Sequence, residues 1–279
     1  MNNSLRFPLQ CLLFACSLLF ALSSMAQEKV TVQAYGRCIS RDLTPGQTKR
    51  KAIEEAKRDA LNKAGVSESV QVSDFLYQFE DNEKFQEIFQ GFTSTETGAD
   101  VLVEEVLDER KNFDENGNMV VEVEIKATVF KHKENRDPSF TFQLKGIDEF
   151  YDHLDFMRFD FIPRKDGYLK IFNVNDDTSL ILYPYEDLHD FFLSEEKDKL
   201  FERGRTYDFP ISELFDPRGY FLQIEDPGKM KEFNLLIFVF TKKDFPFTGH
   251  NNVKDIMSWI YNLPVDERAV KQVGFVIRK

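Results

Sequence analysis

Apolar and polar residues alternate from Gln27 to Arg41, with Val30, Val32 and Ala34 on one side and Thr31, Gln33 and Tyr35 on the other. A period of two predicts a half-buried strand. The period then lengthens. Ala52, Ile53, Ala56, Ala60 and Ala64 recur at spacings of three and four, which predicts a helix over 47–64 with one apolar face. Thr44 is placed to cap its start, Pro45 lies in its first turn, and Gly65 is placed to end it. Alanines dominate that face, so the helix can lie close on a sheet. "VSESVQV" predicts a second strand reaching towards Phe79, and "DNEKFQEIFQG" a short helix with Phe85, Ile88 and Phe89 inward. "ADVLVEEVLDE" and "NMVVEVEIKATVF" alternate again, and the Asn116-Gly117 pair between them predicts a hairpin turn with positive φ at both residues.

The texture changes after "KHKENRDPSF", a polar, proline-bearing stretch of linker character. Nineteen phenylalanines fall between Pro138 and Lys279 against seven between Gln27 and Asp137. Aromatic-rich apolar runs broken by turn signals predict an antiparallel β-sandwich or barrel-like unit. Its strands include "LDFMRFDFI", "YLKIFNV", "LILYPY" and "NLLIFVF". Val253, Ile256, Met257, Ile260 and Tyr261 mark a helix ended by Pro264, and "AVKQVGFVIRK" a last strand. The expected fold is α+β: a strand–helix–strand–hairpin domain over 27–132, a linker over 133–139, and a β-rich domain over 140–279 ending in a helix and a strand.

The first 26 residues predict a secretory leader: Arg6, an apolar run from Leu9 to Leu22, then small residues at Ser24 and Ala26. "LFAC", ending at Cys16, is the competing lipoprotein reading. Phe14 stands where such a box takes a small residue, so the sequence predicts export with Gln27 as the new terminus, not lipid anchoring at Cys16. Beyond the leader no apolar run reaches membrane length, so no transmembrane span is expected in the mature chain. Cys38 is then the sole cysteine, which excludes an intrachain disulfide. Without Arg6 the chain carries 35 basic and 48 acidic residues, a net charge of −13. That balance repels nucleic-acid phosphates, and no nucleic-acid partner is expected.

Two resemblances follow from quoted residues. "VTVQAYGRC" followed by "KRKAIEEAKRDALNKAGVSES" resembles the N-terminal domain of flagellar assembly protein T and related envelope lipoproteins, through Gly36, Ala52, Ala56, Ala60, Ala64 and Gly65. The resemblance implies an envelope protein and assigns those residues structural roles. Asp166 to Leu169, Ile171 to Asn173, Leu182 to Pro184, and the later Pro217-Arg218-Gly219 or Pro227-Gly228 resemble domain of unknown function 4384, a secreted bacterial module. Tyr185 departs from the asparagine common in that family. No catalytic residue carries over from either.

Candidate chemistry is thin. Asn173, Asn175 and Asp177 alternate as in a calcium loop, but Thr178 and Pro184 stand where that loop needs glycine and glutamate. His132, His153, His189 and His250 are widely spaced, which predicts surface or capping roles; no metal site and no cofactor are expected. Serine-hydrolase, phosphate-loop and dinucleotide motifs are all missing. Cys38 reads as a buried structural thiol. The stretch "DGYLKIFNVNDDTSLILYPY" reads as a framework hairpin, with Leu169, Ile171, Leu180 and Leu182 in a shared core and Asp176 and Asp177 in water. The expected function is a non-catalytic secreted envelope protein, periplasmic or envelope-associated, acting as a protein-interaction or assembly module. Its partner would be an envelope protein or a surface polymer. The alternative is carbohydrate or peptidoglycan binding through Tyr168, Tyr183, Tyr185 or Trp259, which would have to be exposed. Convergent carboxylates in an open cleft would instead point to an enzyme.

Overall fold

A computed structural model describes residues 28–40, 42–66, 92–94, 99–132, 135–175, 178–184, 199–211 and 216–279 of the 279-residue chain. The leader, the strand after Gly65, the short helix with Phe85, Ile88 and Phe89, the Asp176–Asp177 pair, Tyr185 and His189 lie outside the described residues. The fold is α+β, with several antiparallel sheets and a C-terminal helix and strand.

The first sheet has the order β1-β4-β3-β2 and is antiparallel throughout. Its strands are β1 (Glu28–Ile39), β2 (Phe92–Ser94), β3 (Ala99–Phe113) and β4 (Met119–Lys131). Helix α1 (Pro45–Lys63) lies across one face. Its start is sealed twice: the Thr44 hydroxyl accepts from the Gln47 amide at 3.3 Å, and the Thr44 amide donates to Gln47 Oε1 at 2.9 Å. This reciprocal cap satisfies two otherwise orphan donors. Ala52, Ile53, Ala56, Ala60 and Leu61 bury against Ala34, Val121, Val123, Ile125 and Val129. Helix and strand approach closely at Gly36, where a Cβ would stand 1.9 Å from the Ala52 carbonyl oxygen and 2.4 Å from the Ala56 nitrogen.

The β3–β4 hairpin forms as expected, but its turn differs. Only Gly117 takes a positive φ, at 78°. Asp114 Oδ1 accepts from the amides of Asn116 and Asn118, and the Gly117 amide donates to the Asp114 carbonyl. The side chain of Asp114 therefore closes the loop, and Asn116 keeps ordinary backbone geometry.

Beyond residue 140 the largest sheet has the order β10-β9-β13-β14-β6. Its strands are β6 (Phe150–Asp152), β9 (Tyr168–Asn175), β10 (Ser179–Tyr183), β13 (Lys231–Thr241) and β14 (Arg268–Arg278). One pairing, β14 with β6, is parallel and sits at the sheet edge, a departure from the all-antiparallel expectation. A second sheet, β11-β8-β5, faces it, built from β5 (Phe142–Lys145), β8 (Phe159–Pro163) and β11 (Tyr207–Phe209). Between them lies an aromatic core of Phe142, Phe159, Phe161, Phe201, Phe209, Phe238, Phe240 and Tyr183. A small pair, β7 (Phe156–Met157) with β12 (Tyr220–Phe221), flanks it. Helix α2 (Val253–Asn262) covers the opposite face through Ile256, Met257, Ile260 and Tyr261. Strand β13 is central and buried on both faces, which explains its unbroken apolar run.

Leu169 and Ile171 enter the aromatic core, and Leu182 packs against it. Leu180 does not. It lies on edge strand β10 opposite Asn173, and it stays 40% exposed. A bulge between Ile181 and Tyr183 re-aims the strand so that Tyr183 takes the interior position. Leu169→Ala is therefore expected to cost ~2–5 kcal/mol, and Leu180→Ala to stay within ~0.5 kcal/mol. Equilibrium urea unfolding of the two variants checks both.

Candidate functional site

The sequence-predicted contact residues are not brought together. Tyr183 is 1% exposed, ringed by Phe201 and Phe209 with centroids 5.6 and 5.4 Å away. Trp259 belongs to the other side of the large sheet, packed edge-on against Phe172 and Phe247, with its Nε1 donating to the Pro246 carbonyl at 3.0 Å. A sheet therefore separates these two rings. Tyr168 is half-buried at the start of β9.

The histidines have separate tasks. His153 Nδ1 accepts from the Ile224 amide at 3.1 Å, and His250 lies against Asp255 at the start of α2. His132 differs from expectation: it is buried, with Nε2 2.9 Å from Asp100 Oδ2. That same oxygen receives Arg268 from the first position of β14. Asp100 and Arg268 are almost fully buried as well. Beside them Leu102 and Phe130 pack into the α2 core, with the Phe130 and Tyr261 rings 5.8 Å apart. An apolar contact and an ionic cluster thus join the first sheet to the second half of the chain. In the connecting segment Asp137 pairs with Lys165 at 3.2 Å and with Lys242 at 2.9 Å. Hydrogen bonds from Ser139 and Lys242 hold its carboxyl well below the usual carboxylate range.

One further group, Lys57, escaped the sequence reading, and Cys38 is less buried than that reading expected. Lys57 on α1 is 3% exposed, and burial pulls its pKa down to about 8 against the opposing pull of Glu54. From pH 8 to about 10.5 the unfolded chain then holds a proton that the folded chain has released, so stability rises with pH across that window. From 10.5 to about 8 the difference corresponds to ~3 kcal/mol. Lys57→Met is expected to remove this rise, read as urea midpoints at pH 7.5 and 9.5. Cys38 is a free, half-buried thiol whose pKa burial pushes up, which disfavours the nucleophilic thiolate. Among the described residues no group of three His, Cys, Asp or Glu side chains could hold a metal ion. Asn175, whose spacing alone resembles a calcium loop, accepts from the Thr178 amide at 2.6 Å and closes the β9–β10 turn, in line with the turn reading.

Exposed apolar side chains do gather at one end of the large sheet. Strand β13 begins there, and β14 and β6 end there, with Lys231 opposite Arg278 and Arg278 opposite Asp152. Met230 precedes Lys231 and is 63% exposed. The chain leaves β6 through Leu154, whose φ of 75° is the only positive value at a described residue other than glycine. A left-handed leucine is strained, yet its side chain is 52% exposed. Its amide donates to the Leu222 carbonyl at 2.8 Å, which sets it beside Phe221, 51% exposed. The Phe221 ring lies 5.3 Å from that of Phe156, and Arg218 covers Phe156 at 3.9 Å. Arg278 similarly covers Phe150 at 4.8 Å.

A scan against known protein families matched none, and no curated protein matched the chain. The resemblances to flagellar assembly protein T and to domain of unknown function 4384 rest on the residue patterns quoted above. No helix among the described residues is long and apolar enough to cross a membrane.

Proposed function

We propose that this chain is an exported, non-catalytic protein of the cell envelope that acts as a protein-interaction module. The observation that carries the reading is the sheet end bearing Leu154, Phe221 and Met230 with arginine-covered phenylalanines beside them. Aromatic side chains, Met and Arg are the residues enriched at protein interfaces, and backbone strain that holds an apolar side chain in water costs energy without helping the core. A sugar-binding platform would need rings side by side on one surface. Tyr183 and Trp259 instead lie on opposite faces of a sheet, which favours a protein partner over a surface polymer.

A photo-crosslinking amino acid at position 221 tests this in an envelope fraction, with position 113 as the control because Phe113 is exposed at the tip of the β3–β4 hairpin. A discrete adduct is expected from position 221 alone, and Leu154→Asp should abolish it. The same adducts from both positions, or none from position 221, would refute the assignment.

A further inference from the structure

Among the described residues strand β1 is the outer strand of the first sheet, twelve residues long and paired with β4 alone. Such an edge presents a row of unused amides and carbonyls to any other strand. Here two of these groups are already bonded, and by side chains from α1. The Tyr35 amide donates to Asp59 Oδ2 at 2.9 Å, and Lys63 Nζ donates to the Gln33 carbonyl at 2.9 Å. Asp59 and Lys63, one helical turn apart, are themselves paired at 2.8 Å. Burial raises the Asp59 carboxyl, but Lys63 and the Tyr35 amide outweigh it and hold the group below its ordinary range. The acid is ionised and in its strongest accepting form.

We infer that Asp59 and Lys63 form a clip that keeps β1 from pairing with β1 of a second copy of this chain. A second copy is the occupant because the two clipped groups are each other's partners in a symmetric pairing of β1 with itself. Antiparallel strands related by a two-fold axis through Ala34 put Gln33 opposite Tyr35, and Val32 opposite Gly36. Apolar sides then stay together on one face, as sheet extension requires. In that register the Tyr35 amide would bond the Gln33 carbonyl of the other copy, twice by symmetry. These are the two groups the clip occupies. The first sheet would otherwise extend through two copies from edge to edge.

Amide exchange of the unmodified protein gives the first test. The amides of Thr31 and Arg37 point outward from β1 as that of Tyr35 does, so Tyr35 should exchange at least ~10-fold more slowly than both. Equal rates would overturn the clip. The second test is Asp59→Ala with Lys63→Ala, followed by light scattering across protein concentration. The variant is expected to lose Tyr35 protection and to shift towards twice the wild-type mass. A folded variant that matches the wild-type mass at every concentration would overturn the proposed partner. Should the double variant not fold, the exchange comparison in the unmodified protein decides.

Discussion

Gly36→Ala is expected to unseat helix α1 from its sheet. The added methyl would meet the Ala52 carbonyl at 1.9 Å and the Ala56 nitrogen at 2.4 Å, both backbone atoms with no rotamer to escape into. Overpacking usually costs ~1–3 kcal/mol when side chains can yield. Here the helix itself must move and open the contacts of Ala52, Ala56 and Ala60, so a loss above ~3 kcal/mol is expected from a total of ~5–15 kcal/mol. Gly65→Ala is the informative contrast. Its φ is 80°, but nothing lies within 4 Å of the added methyl. Only the left-handed strain of ~1–2 kcal/mol remains. Thermal melting of both variants separates close approach from backbone conformation.

The second large effect is expected at the buried junction. Asp100→Ala removes the acid from beside Arg268, whose guanidinium is 4% exposed. A buried charge stripped of its partner costs ~3–5 kcal/mol. Replacing both groups, Asp100→Leu with Arg268→Met, should recover most of that loss, because two apolar side chains carry no desolvation penalty. The double variant is thus expected to be more stable than Asp100→Ala alone, and a double-mutant cycle measures the coupling directly. Additive losses would mean that the pair contributes nothing specific to joining the two parts of the chain.

Much of this architecture was legible in the chain because it is periodic. The alternation of Val30, Val32 and Ala34, the alanine face of α1 and the doubly buried run of β13 each follow from burial on one or two faces. Gly36 carried a signal too, a glycine inside a strand opposite an alanine-rich helix. What stayed hidden depends on distant partners. Asp100, His132 and Arg268 are separated by 32 and 136 positions, and no local period links them. The one available hint was an acid inside the apolar run "ADVLV", on the side of β3 that also carries Leu102. Leu180 was misplaced because it lies on edge strand β10 opposite the polar Asn173, and alternation gives the face of a residue but not how far the core extends along it. The sheet-end surface was missed because Leu154, Phe221 and Met230 come from three separate turns and strand ends, each unremarkable alone. Asn116 shows the reverse case: the turn was found, while its geometry was set by Asp114.

We propose that the sheet end around Leu154 and Phe221 binds an envelope protein. Equilibrium binding of the purified chain to solubilised envelope proteins, beside a Leu154→Asp, Phe221→Asp variant of matched thermal stability, tests it most directly. Saturable binding of the wild type is expected, with an affinity weakened at least ~100-fold in the variant, since loss of central apolar anchors costs ~2 kcal/mol or more each. Equal saturable binding by the two proteins, or no saturable binding by either, would contradict it.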